Sequence, residues 1–299
     1  MIHQYLKKLM LAGMLGISMV AAPAAETLKK SGSTQVSHFT EAEKAFFQFP
    51  DTIQGAIKIE KYPVQGAKHC LVHVRAIHDG WYGHGRFSTN SVEYPFVLQA
   101  QQGMYQILTN LITRFKIDAI YSEGNTSDDF ARDAIANERK LIVDIEKKDL
   151  EEYALHRYKT AVIGRVILTK DVHIKATEDP DALDKGREVT LKKNATLGEF
   201  AEYALERRED GVLERIAESA GPLAVLVYGG GHLFGGKSTC GDGYRREMVT
   251  SKDPQERIAY KVNKDNIAEW NAAHPMQKFS FIDITPKGYE KYESFIKNQ

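Results

Sequence analysis

Three short apolar runs constrain the fold of this 299-residue chain more than any other feature. They are CLVHVRAIH from Cys70, IDAIYSEG from Ile117 and LAVLVYGGGH from Leu223. Nearly continuous apolar runs of this length are typical of strands that are buried on both faces, as in a parallel sheet. A fourth run, KFSFIDITP, predicts one more strand near the C-terminus.

Helical patterns separate these runs. Two charged segments are predicted to be helical: SDDFARDAIANERKLIVDIEKKDLEEYALHRY and GEFAEYALERREDGVLERIAES. A third segment is predicted to form short strands or the end of a helix: AVIGRVILTKDVHIKATEDPDAL. A further helix is predicted from apolar residues spaced three, four or seven apart: Val97, Met104, Leu108, Leu111 and Phe115. The alternation of strands and helices predicts an α/β fold with a mostly parallel central sheet flanked by helices.

The N-terminal residues have the pattern of an export signal. A basic start, MIHQYLKK, precedes the apolar run LMLAGMLGISMV and the small-residue site Ala22-Pro23-Ala24. We therefore predict a signal peptide over residues 1–24, a flexible leader over 25–40 and a single α/β domain over 41–299. The mature protein is expected to be periplasmic or secreted and not inserted in the membrane.

The charge of the chain bears on its binding partners, and its cysteine content bears on disulfide formation. The formal net charge is +0, which gives no indication of a nucleic-acid partner. Cys70 and Cys240 are the two cysteines, and export would permit a disulfide between them. Because the sequence does not give the distance between them, a bridge and two buried thiols both remain open.

Reactive side chains stand at the ends of the three predicted strands. Ligands gather at the carboxyl ends of parallel strands, and here these ends carry His78, Glu123 and His232. Two imidazoles and a carboxylate are a common ligand set for a hydrolytic metal. Asp79 follows His78 and either orients it or forms a turn. By alternation we expect His73 to lie on the other sheet face from Val72 and Val74, as a hydrogen-bonded histidine of the core or of the sheet face.

The third strand end has a competing interpretation as a phosphate-binding loop. Residues 231–238, GHLFGGKS, match the pattern G-x-x-x-x-G-K-S, and Asp283 would be placed to hold magnesium. That loop must run into a helix, yet Gly241 and Gly243 would fall in its first turns at a cost of about 1 kcal/mol each. Too little chain follows to complete such a domain, so we favour His232 over Lys237 as the functional residue.

These segments together resemble the TraB/TIKI-type hydrolases and their ChaN-like and erythromycin-esterase-like relatives. The resemblance rests on the strand ends IHDG and AIYSEG, on KATEDPDAL with Glu178-Asp179, and on ERREDGVLERIAESAGPLAVLVYGGGH with its G-x-x-H. It covers roughly residues 65–235. It implies a TIKI/ChaN-like fold with His78, Glu123 and His232 in the site and with Arg208 and Glu209 nearby.

The chain departs from the family pattern at its first motif. The family has G-x-x-H there, whereas this chain has Arg75 three residues before His78. A cation at that position would repel a metal, or it would pair with Glu123 and remove the carboxylate from metal binding.

The resemblance implies several activities. TIKI-type members are metal-dependent peptidases, erythromycin-esterase-like members activate water with His and Glu, and ChaN-like members bind haem or iron. We therefore expect an exported hydrolase that cleaves an amide or ester of a peptide or small molecule. In this expectation a divalent metal (Zn, Mn or Co) is held by His78, Glu123 and His232, and Arg208 stabilises the oxyanion.

Three alternatives stay open. The first is a metal-free His/Glu esterase. The second is a haem- or iron-binding protein without turnover, with axial ligands drawn from Tyr82, His84 and Tyr121. The third is a degenerate member of the fold that serves as a binding module. A second copy of the chain, in a homodimer, is a further partner considered.

Overall fold

A six-stranded sheet organises the protein. The computed structural model describes residues 39–77, 94–128, 166, 170, 172–192, 196, 199, 202–203, 207–229, 234 and 266–291. Its strands are β1 (Ala56–Tyr62), β2 (His69–Ala76), β3 (Ala119–Ser122), β4 (His173–Lys175), β5 (Leu223–Gly229) and β6 (Phe279–Pro286). They lie in the order β1-β6-β2-β5-β3-β4.

The sheet is mostly parallel, as the sequence predicted. β2 pairs in parallel with β5 and β6, and β3 pairs in parallel with β5 and β4. β1 is the exception because it runs antiparallel to β6 at one edge. The carboxyl ends of β2, β3 and β5 therefore lie along the same edge of the sheet.

Five helices are described around the sheet: α1 (Glu41–Gln48), α2 (Tyr94–Phe115), α3 (Pro180–Leu191), α4 (Arg207–Ser219) and α5 (Asn266–Ala273). α1 begins at a capping box in which the Thr40 hydroxyl accepts from Glu43 N–H and Glu43 accepts from Thr40 N–H. α3 begins at Asp179, whose carboxylate accepts from Ala182 N–H. Thr40 thus caps α1, one residue before the predicted start of the α/β domain at residue 41.

The two faces of the sheet have separate cores. Side chains alternate along each strand, so that Val72 and Val74 of β2 pack with Met104 and Leu108 of α2 on one face. Leu71 packs on the opposite face in a cluster built largely from α4, β5 and β6, with members Val212, Leu213, Ile216, Leu226, Tyr228, Phe234 and Phe281. The same alternation places His73 on this second face, where its ring contacts Phe234 and Phe281.

Several predicted features lie outside the described residues. They are the signal peptide, most of the leader, nearly all of the long charged segment from Ser127, and Cys240. Cys70 is a buried thiol with no disulfide among the described residues. No helix in the part of the chain that the structure describes has both the length and the apolar character to cross a membrane.

Candidate functional site

The candidate site is built at the edge of the sheet where β2, β5 and β3 end. Ala76 and Gly229 are register partners at the ends of β2 and β5. The Ile77 carbonyl, directly after β2, accepts a hydrogen bond of 2.9 Å from the Gln101 side chain of α2. This contact fixes the exit of the chain from β2. His78, Asp79 and His232 lie outside the described residues.

Glu123 follows β3 directly and points into this edge. Its backbone N–H donates to the Val227 carbonyl at 3.0 Å, which extends the pairing of β3 with β5 by one residue. One carboxylate oxygen accepts from Gly229 N–H at 2.6 Å, and the other accepts from Arg208 Nη2 at 2.9 Å. The side chain is 12% exposed. Both donors favour the ionised carboxylate, and together they fix its orientation.

Arg208 joins two carboxylates at the start of α4. Its Nε donates to Glu178 Oε2 at 3.0 Å and its Nη2 donates to Glu178 Oε1 at 2.5 Å, while Nη2 also contacts Glu123. Burial disfavours the guanidinium charge, but the hydrogen bonds to Glu178 and the nearby negative groups outweigh it and raise the pKa of Arg208. Arg208 therefore carries a positive charge that these carboxylates hold in place.

Glu178 is the most deeply buried carboxylate of this cluster. Its side chain is 0% exposed, and the Tyr228 hydroxyl donates to its Oε1 at 2.7 Å. Its backbone N–H donates to the Asn125 carbonyl at 3.0 Å, and the neighbouring Thr177 hydroxyl donates to the Ser122 carbonyl at 2.7 Å. These bonds attach the segment before α3 to the end of β3. They thereby hold Glu178 within hydrogen-bond distance of Arg208.

A second polar cluster lies on the same face of the sheet, one strand away. Arg75 of β2 donates to Asp283 of β6 from Nε at 3.0 and 3.2 Å and from Nη2 at 2.5 Å. His73 Nδ1 lies 3.2 Å from Asp283 Oδ1, and His73 Nε2 lies 3.1 Å from the Tyr228 carbonyl oxygen. Burial alone would raise the pKa of Asp283, but His73 and Arg75 outweigh it and lower that pKa to about 2.

This geometry corrects two expectations about charged residues. Arg75 pairs with Asp283 in the described structure, and the cation that binds Glu123 is Arg208. The physical reason is strand alternation, which points the Arg75 side chain at its neighbour in β6. Asp283 is likewise committed to Arg75 and His73, so a magnesium-holding role for it has no support. The prediction that His73 is a hydrogen-bonded core histidine is confirmed.

The remaining predicted residues have different surroundings. Glu209, beside Arg208 in α4, is buried. The Tyr121 hydroxyl lies 2.9 Å from the Ser219 hydroxyl at the end of α4, and burial raises the pKa of Tyr121. Tyr82 and His84, the other proposed haem ligands, lie outside the described residues.

Sequence reasoning missed two members of the site. Glu178 was noted as part of an acidic segment but not as a site residue, and Tyr228 was treated as an apolar strand residue. A signal for Tyr228 was available, because its hydroxyl needs a partner when a strand is buried on both faces. Glu178 carried no such signal, since its burial depends on Arg208 from a distant helix.

Among the residues that the structure describes, no group of three or more His, Cys, Asp or Glu side chains is arranged to hold a metal ion. Of the three predicted ligands only Glu123 is described, and each of its oxygens already accepts a hydrogen bond.

Comparison with protein-family models, curated proteins and solved structures found no match to this chain.

Proposed function

We propose that this protein is a hydrolase of ester or amide bonds, with a water-activating site at the carboxyl ends of β2, β3 and β5. The observation that carries the proposal is the state of Glu123. A nearly buried carboxylate at a strand end accepts hydrogen bonds from Arg208 and from Gly229 N–H. A charged side chain is rarely both nearly buried and fixed in one orientation unless it has a function. Such an arrangement suits a carboxylate that aligns an imidazole.

The covalent chain supports the choice of imidazoles. His78 follows Ala76 by two residues, and His232 follows Gly229 by three. Consecutive Cα atoms are about 3.8 Å apart, so neither histidine can be far from its strand end. Ala76 and Gly229, which end these two strands, are register partners at the edge that holds Glu123.

In the proposed reaction, one of these imidazoles acts as a general base. It accepts a proton from water while the water oxygen attacks the carbonyl carbon, and it then returns the proton to the leaving group. Glu123 aligns that imidazole and stabilises its transient positive charge. Arg208 contacts Glu178, Glu123 and the face of the Tyr228 ring, and its hydrogen bonds to the two carboxylates support a role for it in positioning Glu123.

A metal-dependent version is the second candidate, and the charge of the cluster favours it. Glu123 and Glu178 carry two negative charges against the one positive charge of Arg208, which leaves a net negative charge beside the strand ends. A divalent Zn, Mn or Co ion would be held by His78, Glu123 and His232 and would lower the pKa of a bound water. The donors already bound to Glu123 favour the metal-free version.

Two observations bear on haem binding. Tyrosine ligates haem iron most readily as the phenolate, and burial raises the pKa of Tyr121. Its hydroxyl is also engaged with Ser219. A haem titration of the purified protein is expected to give no Soret band, and the appearance of one would favour the haem-binding alternative.

The experiment compares wild type, Glu123→Gln, His78→Ala and His232→Ala on a panel of activated esters and short peptides. We expect each site variant to lower kcat/KM by about 100-fold or more, because general-base catalysis contributes about 10²- to 10⁴-fold. Asp184→Asn is the control, since Asp184 lies on the exposed surface of α3. Full activity in Glu123→Gln, or no turnover of any panel member by wild type, would count against the proposal.

Chelation separates the two versions. Activity that survives prolonged treatment with EDTA, in protein that contains no stoichiometric metal, is the result expected for the metal-free version. Loss of activity with EDTA and its return with one divalent ion would favour the metal-dependent version.

A further inference from the structure

One peptide group connects the two polar clusters. The carbonyl oxygen of Tyr228 lies 3.1 Å from His73 Nε2, and the N–H of the next residue, Gly229, donates to Glu123 at 2.6 Å. The C=O and N–H of a planar trans peptide point in opposite directions. This peptide therefore receives a hydrogen bond from the β2 side and gives one on the β3 side.

His73 is held by two polar partners and by two aromatic rings. Nδ1 faces the carboxylate of Asp283 and Nε2 faces the Tyr228 carbonyl. A carbonyl oxygen only accepts, so Nε2–H is the donor in the second contact. The residue is 2% exposed, and its ring lies 5.3 Å from the ring of Phe234 and 6.3 Å from that of Phe281. These contacts fix the orientation of the ring.

We infer that His73 is a positioning residue for Glu123 and that it acts through the Tyr228–Gly229 peptide. A ring N–H that donates to the carbonyl oxygen polarises the peptide and strengthens the hydrogen bond given by its N–H. Such cooperative strengthening is about 10–30% per bond. The contact also fixes the plane of the peptide, and hence the direction from which Gly229 N–H holds the carboxylate.

The structural part of this inference stands on the contacts alone, whereas its consequence for turnover rests on the proposed function. If His73 only filled space in the core, its removal would leave the Gly229 hydrogen bond unchanged in a folded variant. Two readouts are therefore needed: a spectroscopic one at the peptide and a kinetic one.

The sequence makes the spectroscopic readout selective. Tyr-Gly occurs at Tyr82-Gly83 and Tyr228-Gly229 and nowhere else in the chain. Full-length protein labelled with ¹³C′-tyrosine and ¹⁵N-glycine therefore gives two carbonyl–amide correlations, and Gly83→Ala removes one of them. The remaining signal reports the Tyr228 carbonyl and the Gly229 amide together.

Two substitutions of His73 separate its two contacts. The amide nitrogen of Gln occupies the place of Nε2, whereas that of Asn occupies the place of Nδ1. His73→Gln is expected to keep the bond to Tyr228, and His73→Asn to lose it. We expect the Tyr228 ¹³C′ and Gly229 ¹H signals to move upfield in His73→Asn and to stay close to the wild-type position in His73→Gln. His173→Asn, at an exposed histidine of β4, is the matched control and should leave both signals unchanged.

The kinetic readout uses the same variants. His73→Asn is expected to lower kcat on the order of 10- to 100-fold with KM little changed, because misplacing a catalytic group by about 1 Å has effects of this size. His73→Gln should restore most of that loss. Circular dichroism verifies that each variant is folded.

The outcomes are distinguishable. Unmoved Tyr228 and Gly229 signals in folded His73→Asn would overturn the inference whatever the activity. Signals that move while kcat stays at the wild-type value would overturn the positioning role. Full activity in Glu123→Gln would refute the proposed function and leave the peptide coupling standing.

If His73→Asn does not fold, Glu123→Gln tests the link from the other end. Polarisation of a peptide is mutual, so weakening the Gly229 hydrogen bond must also shift the Tyr228 carbonyl signal. No shift in that variant would overturn the inference.

Discussion

Asp283 is a buried carboxylate that contacts two basic side chains. It lies in the middle of β6, buried, between the guanidinium of Arg75 and the ring of His73. A buried ion pair adds little net stability over an apolar pair, because desolvation offsets the attraction. Removing one partner is a different matter, since it leaves the other charge buried without compensation.

We expect Asp283→Asn to lower the free energy of unfolding by about 3–5 kcal/mol, the usual cost of breaking a buried pair. Urea denaturation followed by circular dichroism measures it. The matched control is Asp51→Asn, which breaks the ion pair to Lys61 at a site where the Asp51 side chain is 91% exposed. Exposed pairs contribute about 0–1 kcal/mol, so equal losses in the two variants would contradict this account of Asp283.

The same carboxylate predicts how stability responds to acid. Its pKa falls from the usual 3.8 to about 2, because the contacts with His73 and Arg75 outweigh the effect of burial. A group whose pKa is lowered by folding contributes stability above its unfolded value and loses it as the pH falls through the folded value. The stability difference between wild type and Asp283→Asn should therefore shrink as the pH falls from about 4 to about 2. A difference that grows on acidification would be the opposite of this result.

At the scale of single residues, the sequence predicted the strand-end position of Glu123 but not its partners. A buried strand that ends in a carboxylate is unusual, and this made Glu123 predictable. Its pairing with Arg208, and that of Arg208 with Glu178, depends on three distant segments meeting at one edge. No periodicity in the sequence encodes such a meeting. For the same reason the sequence left the partner of Arg75 open, and the structure pairs it with Asp283.

At the scale of elements, α2 packs closely on the turn before β1 and on the end of β6. A Cβ atom added at Gly103 would lie 2.9 Å from the Gly55 carbonyl oxygen, 2.9 Å from Lys287 N and 3.1 Å from the Lys287 carbonyl oxygen. These are backbone atoms, and Gly55 itself has a φ of +94° that favours glycine. The helix therefore needs a residue without a side chain at its point of closest approach.

A pair of glycine substitutions tests this packing. In a helix interior alanine is more stable than glycine by about 0.8–1 kcal/mol. We expect Gly211→Ala in α4 to show that gain, because an added Cβ there meets nothing within 4 Å. Gly103→Ala should instead be destabilising by about 1–3 kcal/mol, since overpacking outweighs the same propensity gain. A stabilised Gly103→Ala, measured by urea denaturation, would show that α2 can move away from the turn.

Elements with a strong period were predicted and weak ones were missed. β2, β3, β5, β6 and α2 follow from continuous apolar runs or a long helical stripe, and the structure confirms them. β1 was missed because it is an edge strand in which Lys58, Glu60 and Lys61 interrupt the apolar pattern. Charged residues on an edge strand prevent pairing with other chains. The charges that make β1 hard to recognise in the sequence are therefore those expected of an edge strand. α1 is only eight residues long, and its capping box was its one available signal.

At the scale of the whole molecule, the two faces of the sheet have different compositions. The α2 face is apolar across the described strands, with Val72, Val74, Val225 and Ile282 in its core. The α4 face carries the apolar cluster together with both polar clusters, which span β6, β2, β5 and β3 at the carboxyl half of the sheet. The candidate site therefore shares a face with the α4 core, and β2 and β5 contribute side chains to both faces.

Cys70 allows the opening of the sheet centre to be measured. It lies in β2, between β5 and β6, on the apolar face, and it is 0% exposed. Burial raises the pKa of its thiol to about 12, and the thiolate is the reactive species. Alkylation of Cys70 therefore requires the centre of the sheet to open.

We expect Cys70 in a Cys240→Ser background to be alkylated only through global unfolding. The ratio of the labelling rate of Asp184→Cys, an exposed site on α3, to that of Cys70 gives a free energy of opening. This value should equal the free energy of unfolding from urea denaturation. Adding Asp283→Asn should accelerate labelling on the order of a hundred- to a thousand-fold, because each 1.4 kcal/mol is a factor of ten. Labelling that is much faster than this and that does not respond to Asp283→Asn would mean that β2 separates locally from its neighbours. In that case the polar clusters on its other face would not unfold together with the apolar core.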